Sequence, residues 1–252
     1  MSASSDQLVV RSSSEEVAET VAVRLLDHLA ELSALGEDPH VVLTGGSLSR
    51  RLHTRLADLS AEREDIDWAR VSLWWGDERY VASDDDERNA GQALQDGLRR
   101  LPLNRDRVHP MAASDEGHAS PEDAAAAYVE DLRIARGHVP EGHAWFHVLL
   151  LGIGPDGHCA SLFPGRPEVH EQAVALAVHD SPKPPPVRIS LGLSTLQRAD
   201  QVWFVAAGDE KADAVARSVG GGDVSETPAA GPRGLRRTLW FLDETAAGQL
   251  ER

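Results

Sequence analysis

His158 stands two residues after Asp156 in the run Gly152-Ile153-Gly154-Pro155-Asp156-Gly157-His158-Cys159-Ala160-Ser161. An imidazole that titrates near neutral pH, with a carboxylate close by to orient it, is the side-chain set of a general base. The glycines ahead of it let backbone N–H groups approach a ligand closely. On the residues alone, a structural His after a strand and an Asp that only caps the loop stay open. Gly152-x-Gly154-x-x-Gly157 also has a dinucleotide-binding spacing. It lies past the midpoint of the chain, however, runs into Pro164 instead of a sustained amphipathic helix, and lacks an acid-terminated strand about 20 residues on, so no nucleotide is expected. Cys159 adjoins His158, and neighbours in sequence point apart. With no second His or Asn placed to complete a triad, it reads as a packing residue. Ser161 lacks the Gly-x-Ser-x-Gly elbow. His143 and His147 lie four apart but enter a strand, and there is no HExxH pattern, so no metal is expected.

Four other places could carry anion chemistry. Gly45-Gly46-Ser47 leaves an apolar strand and enters a helix, which aims N–H groups and the positive end of a helix dipole at one point. No Gly-Lys-Ser/Thr follows, so this is not a P-loop, and a ligand-free tight turn is equally open. Asp77-Glu78-Arg79 places three charges at a strand end. They are either a solvated loop or a grip on a polar substrate, with Arg79 the natural partner of a phosphate or a developing oxyanion. Arg188 follows the run Ser181-Pro182-Lys183-Pro184-Pro185-Pro186, and Lys211 opens a helix after Gly208-Asp209-Glu210. Each by itself reads equally as a surface charge, though a cation is disfavoured at a helix start, which hints that Lys211 meets an anion. Lys183 and Lys211 are the only lysines among 25 basic residues.

The elements that must position these groups follow from periodicity and caps. Ser13 and Glu16 form a capping box for a helix from about Ser14 to Leu35, which Gly36 stops. A strand at His40–Thr44 precedes a helix from Ser47 to about Leu59, and a second strand spans Arg70–Trp75. Residues 84–88 read as a charged loop, with a helix over Asn89–Arg100. Ser120-Pro121-Glu122-Asp123 starts a helix that runs to about Arg136. Further strands are expected at Trp145–Leu151, Val187–Leu191, Gln201–Ala207 and Thr238–Leu242. A helix at Asp209–Val219 and a short C-terminal helix complete the set. Strands without polar alternation, separated by helices, predict an α/β fold: a Rossmann-like, mostly parallel sheet covered on both faces. No repeat or linker divides residues 1–252, so one domain is expected.

The net charge of −16 argues against a nucleic-acid partner, which would need a basic face. A few convergent cations can still dominate one pocket. No apolar run reaches the ~20 residues of a membrane span, and Met1–Ser14 is Ser-rich without a hydrophobic region, so neither membrane nor signal peptide is expected. A lone cysteine excludes an internal disulfide and suits a reducing cytoplasm. Monomer and small homo-oligomer are both compatible with these numbers.

Taken in order, LTGGSLSR (43–50), WWGDERYV (74–81), LLLGIGPDGHCASLFPG (149–165), SPKPPPVRISL (181–191) and GDEK (208–211) resemble the blocks of the 6-phosphogluconolactonase family, a relative of the glucosamine-6-phosphate deaminases. The resemblance implies a cytoplasmic, cofactor-free enzyme that hydrolyses a small-molecule sugar-phosphate lactone, 6-phospho-D-glucono-1,5-lactone, to 6-phosphogluconate. It implies His158 as general base with Asp156 beside it, and Arg79 as a substrate or oxyanion contact. Gly45, Gly46, Ser47, Arg188 and Lys211 would cradle the phosphate, with Asp77, Glu78 and Gly154 also on the substrate. The chain departs from the family at Leu48-Ser49, where a small hydroxyl residue and a proline are usual, at Arg88 before Asn89, and at Cys159, where Thr is frequent. Two rivals remain. A deaminase would use Asp77 as base at C2 and His158 for ring opening, but Arg79 and Leu162-Phe163-Pro164 stand where deaminases carry a Tyr-like residue and Asn-Glu-Pro. A non-catalytic sugar-phosphate sensor is opposed by the acidic charge and the lack of a helix-turn-helix.

Overall fold

Short strands that are apolar on both sides need cover on both faces, and the chain supplies it in two layers of helices. A computed structural model describes residues 6–250 except 138 and 141, so residues 1–5 of the Ser-rich N-terminal stretch lie outside the described residues. The strands are β1 (Asp6–Arg11), β2 (His40–Leu43), β3 (Ser72–Trp75), β4 (Asp77–Arg79), β5 (Val108–His109), β6 (Phe146–Gly152), β7 (Ala175–Val178), β8 (Arg188–Leu191), β9 (Ala199–Ala206) and β10 (Arg237–Asp243). The helices are α1 (Ser14–Ala34), α2 (Ser47–Ser60), α3 (Asn89–Asp96), α4 (Pro121–Arg136), α5 (Leu193–Leu196) and α6 (Ala212–Val219). Seven strands make one sheet in the order β1-β10-β9-β6-β2-β3-β5, and every neighbouring pair in it is parallel.

Alternation along each strand divides the core in two. Val41, Leu43, Leu73, Trp75, Val148 and Leu150 pack with Val21, Leu25 and Leu29 of α1 and Leu52 and Leu56 of α2. The intervening Val42, Trp74, Leu149 and Leu151 pack on the other face with Tyr128 and Leu132 of α4 and Val215 of α6. Caps behave as the sequence reads. Ser13 accepts the Glu16 N–H at the start of α1, Glu16 reaches back to the Ser12 N–H at 3.1 Å, and Ser120 accepts the Asp123 N–H at the start of α4.

Some expected boundaries move. The Asn89–Arg100 helix stops at Asp96, because Gly97 adopts φ 156° where a Cβ would lie 2.7 Å from the His53 carbonyl oxygen, and a 3-10 turn at Leu98–Arg100 follows. Asp77–Arg79 and Arg188–Leu191 leave the main sheet: β4, β8 and β7 form a second, antiparallel sheet in that spatial order. The expected C-terminal helix is a set of turns after Asp243, whose Oδ1 accepts the Thr245 hydroxyl and the Ala246 N–H. Strand β1, unmarked in the sequence, forms because β10 offers it a parallel edge. Among the described residues no helix is long and apolar enough to cross a membrane.

His53 on α2 is buried with both ring nitrogens unpartnered among the described residues, and burial lowers its pKa from 6.5 to about 4. A base with a depressed native pKa stays neutral in the fold, while the unfolded chain takes up its proton below pH 6.5. Stability therefore falls as pH drops from 6.5 towards 4, by about 2 kcal/mol at pH 5. His53→Leu is expected to shrink the loss of urea-unfolding free energy between pH 7 and pH 5 by that amount. An unchanged pH dependence would assign the acid sensitivity elsewhere.

Candidate active site

The chain leaves β2 towards β3 on one side and leaves β6 towards β9 on the other, so β2 and β6 meet at the switch point of the sheet. Open α/β sheets bind ligands in the crevice outside the carboxyl ends of such a pair. The Gly-rich loops after both strands open there, and the Gly152 N–H donates to Thr44 Oγ1 at 3.3 Å to tie them together. Between them lies a cleft of about 310 Å³. It is lined by Gly45, Gly46, Ser47, Asp77, Arg79, Gly154, His158, Arg188 and Lys211, all singled out in the sequence, and also by Asn89 and Lys183.

The first wall is the start of α2. Gly46 caps it with φ 99°, no side chain among the described residues takes up its leading N–H groups, and no acid occupies its first turn. These groups are therefore left to a ligand, at the positive end of the dipole. Gly45 has no room for a side chain, since a Cβ would sit 2.0 Å from Asn89 Oδ1. Asn89 donates through Nδ2 to the Asp77 carbonyl at 3.0 Å, and its Oδ1 has no partner among the described residues.

The second wall carries His158. Its Nδ1 lies 2.5 Å from Asp156 Oδ1, which also accepts the His158 N–H at 3.3 Å. Asp156 sits beside the imidazole, outside the cleft lining. Burial acts to raise its pKa, but the hydrogen bond and charge of His158, helped by Lys183, outweigh that and hold it at about 2. With Nδ1 occupied, Nε2 is the ring nitrogen left for chemistry. The loop closes on itself through Gly154 N–H to the His158 carbonyl and Gly157 N–H to the Gly154 carbonyl, both 2.9 Å.

Gly154 packs directly under this pair. A Cβ there would lie 2.1 Å from His158 Nδ1 and Cε1 and 2.5 Å from Asp156 Oδ1. Gly154→Ala is expected to displace the imidazole and lower kcat by about 10²-fold, the usual effect of an ångström of misplacement. Steady-state kinetics beside a melting curve test this. Unchanged kcat would show that the ring can re-seat.

Other candidates fall outside the chemistry. Glu78 is fully buried and does not reach the cleft. Its Oε1 accepts the Arg79 and Asn89 N–H groups at 2.9 and 2.7 Å, its Oε2 accepts the Ala90 N–H at 2.9 Å, and Arg88 lies 3.9 Å away. Burial raises its pKa, with Arg88 and those N–H groups opposing. Glu78 thus caps α3 and braces β4. Cys159 is buried, which pushes its thiol pKa up, and it packs in the core beneath the sheet. The Ser161 hydroxyl donates to Asp77 Oδ2 at 2.6 Å and so orients a cleft carboxylate.

Four cations converge on the cleft. Arg79 donates through Nη1 to the Glu87 carbonyl at 2.5 Å, while its buried Nε has no partner among the described residues. Lys211 is lowered chiefly by burial, with Lys183 adding to it and Glu210 and Asp243 opposing. Arg188 is buried, 3.9 Å from Asp77. In the sequence Lys183 was marked by the scarcity of lysine and by its place in the 181–191 block, and Asn89 by heading a helix, but neither was given a role. Among the described residues no cluster of three or more His, Cys, Asp or Glu side chains suits a metal ion.

An all-parallel main sheet with a cation-rich cleft at its switch point defines an α/β protein of the open-sheet, ligand-binding type. The chain belongs to the family described as glucosamine-6-phosphate isomerases/6-phosphogluconolactonase, which matches residues 12–240. It is 50% identical over 251 residues to the 6-phosphogluconolactonase of Streptomyces coelicolor, covering 98% of this chain and 95% of that one. Against the 6-phosphogluconolactonase of Mycobacterium tuberculosis it is 47% identical over 211 residues, covering 83% and 84%. Among solved structures, 6-phosphogluconolactonase from Trypanosoma brucei superposes with a TM-score of 0.80 at 27% identity, covering 99% of this chain and all of that one. A monomeric glucosamine-6-phosphate deaminase shares the fold, with a TM-score of 0.78 at 18% identity and 96% and 99% coverage.

Proposed function

We propose that this chain hydrolyses 6-phospho-D-glucono-1,5-lactone to 6-phospho-D-gluconate. The observation that carries the reading is His158, held through Nδ1 by Asp156 in a cleft that also contains an uncapped helix start and four cations. The N–H groups at the start of α2, with Lys211, hold the phosphate and so fix the sugar ring, while Arg188 braces the wall of the cleft. His158 Nε2 takes a proton from a water as its oxygen bonds to C1, and Asp156 stabilises the imidazolium. The carbonyl electrons pass to oxygen, where Arg79 meets the oxyanion. As the carbonyl re-forms, the bond from C1 to the ring oxygen breaks and His158 returns the proton to that oxygen. One positioned base contributes roughly 10²–10⁴-fold and one oxyanion donor roughly 10²–10³-fold. A δ-lactone, already prone to hydrolysis, asks for little more.

The same reading places the reaction in one domain over residues 1–252, in the cytoplasm, as a monomer or small homo-oligomer without nucleic-acid or membrane partners. The test is a lactone-hydrolysis assay on enzymatically generated substrate, run beside ammonia release from glucosamine 6-phosphate. Lactone turnover without ammonia is the expected result. Ammonia release would assign the deaminase chemistry instead, and tight binding with neither reaction would assign a sensor.

A further inference from the structure

Arg188 and Lys183 divide the anion-binding work differently from what their positions in the sequence imply. The segment from Ser181 to Pro186 has prolines at 182, 184, 185 and 186, so it is rich in carbonyls and poor in N–H donors. Arg188 supplies the missing donors. Its Nε donates to the Pro185 carbonyl at 3.2 Å, and its Nη2 donates to the carbonyls of Lys183 and Pro184 at 3.0 and 3.3 Å. The Lys183 carbonyl also accepts the Ser181 hydroxyl at 3.0 Å, and the Ser181 N–H closes the loop on the Pro186 carbonyl at 2.9 Å. Three of the five guanidinium N–H groups are thus committed to the strap. The remaining Nη1 lies 3.9 Å from the Asp77 carboxylate.

Lys183 is the reverse case. Its backbone is held from two sides, its side chain lines the cleft, and its ammonium makes no hydrogen bond or ion pair among the described residues. It shares that lining with His158 and Lys211, and its charge helps to lower the pKa of both Asp156 and Lys211.

We infer that Lys183 is a direct contact for the substrate's phosphate monoester, and that Arg188 is a positioning residue that clamps the proline strap so that Lys183 reaches the cleft. The inference rests on the lactonase reading for the identity of the substrate, but the anion site can be tested without it. Inorganic phosphate is the first probe, titrated by calorimetry. The second is the ratio of kcat/KM for 6-phosphogluconolactone to that for unphosphorylated glucono-1,5-lactone.

Lys183→Met is expected to weaken phosphate binding and to lower the ratio, each by about 10–100-fold, as the loss of one charge-assisted hydrogen bond predicts. Lys183→Arg is expected to restore most of both. Arg188→Gln should produce a similar loss in the unsubstituted background and little further loss on top of Lys183→Met. If Arg188→Gln does not fold, Arg188→Lys, which keeps the charge but cannot span the three carbonyls, serves in the same cycle. Phosphate binding and ratio unchanged in Lys183→Met would overturn the contact. Equal, additive losses from Arg188 in both backgrounds would overturn its positioning role and make it a phosphate ligand. Lactone turnover absent from the unsubstituted protein, with phosphate binding still weakened by Lys183→Met, would sink the lactonase reading and leave the anion site standing.

Discussion

Replacing His158 by Ala is expected to lower kcat for lactone hydrolysis by about 10²–10⁴-fold, the contribution of a positioned general base. KM should change by no more than a few-fold. The imidazole lies in the cleft but not at the start of α2 or among the cations that hold the anion, so its loss removes proton transfer and leaves the anchors in place. Asp156→Asn tests the same assembly from behind. The amide cannot stabilise an imidazolium as a carboxylate does and can hold the ring in the wrong tautomer, so kcat should fall by an amount between the unsubstituted protein and His158→Ala. Both variants keep the buried core intact and should melt within a few degrees of the unsubstituted protein. A His158→Ala enzyme that turns over at near the original rate would remove His158 from the mechanism. Equal losses in kcat and in phosphate affinity would make it a binding group.

Glu78→Ala is expected to be among the most damaging single substitutions to stability. Glu78 has no solvent exposure, and its two oxygens satisfy three backbone N–H groups across β4 and the start of α3, with Arg88 nearby. Arg88 is itself buried, and its Nη2 also donates to the Met111 carbonyl at 2.6 Å. Removing the carboxylate strands a buried guanidinium and leaves those N–H groups without acceptors. Breaking a buried pair in this way costs about 3–5 kcal/mol, which for a chain of this size lowers Tm by roughly 6–20 °C. Glu78→Gln keeps one acceptor oxygen and should lose less. Activity falls along with stability, because Arg79 and Asn89 reach the cleft from the backbone that Glu78 holds. A melting temperature moved by only a degree or two, with a raised KM, would instead make Glu78 the substrate contact that its neighbours Asp77 and Arg79 suggest.

Glu78 also shows where reading the sequence runs out. Asp77-Glu78-Arg79 looks like one cluster of charges, but as a strand it turns successive side chains to opposite sides. Asp77 and Arg79 face the cleft, and Glu78 points into the protein towards α3. That outcome depends on β4 pairing antiparallel with β8, a contact between residues more than a hundred positions apart. Arg188 is similar. Its charge and its place after the prolines are plain in the sequence, but the three carbonyls it binds are counted only in the folded loop. Lys183 and Asn89 were given no role from the sequence, since a lysine between prolines and an Asn at a helix start acquire meaning only from what lies opposite them.

The amino-acid sequence alone determined the parts that depend on neighbours along the chain. Apolar runs and caps set the buried strands and the starts of α1 and α4, because strand burial and capping are local. The spacing of Asp156 and His158 set them in one tight loop, but that the carboxylate meets Nδ1 was decided by the fold. Gly45-Gly46-Ser47 set an uncapped helix start after a strand. Tertiary structure decided the rest. It brought the loops after β2 and β6 to one crevice, moved β4 and β8 into a second sheet, and sorted the charged residues into those that face the cleft and those that hold it open. The physical reason is that a charge gains its role from the dielectric and the partners around it, and those are supplied by segments distant in the chain.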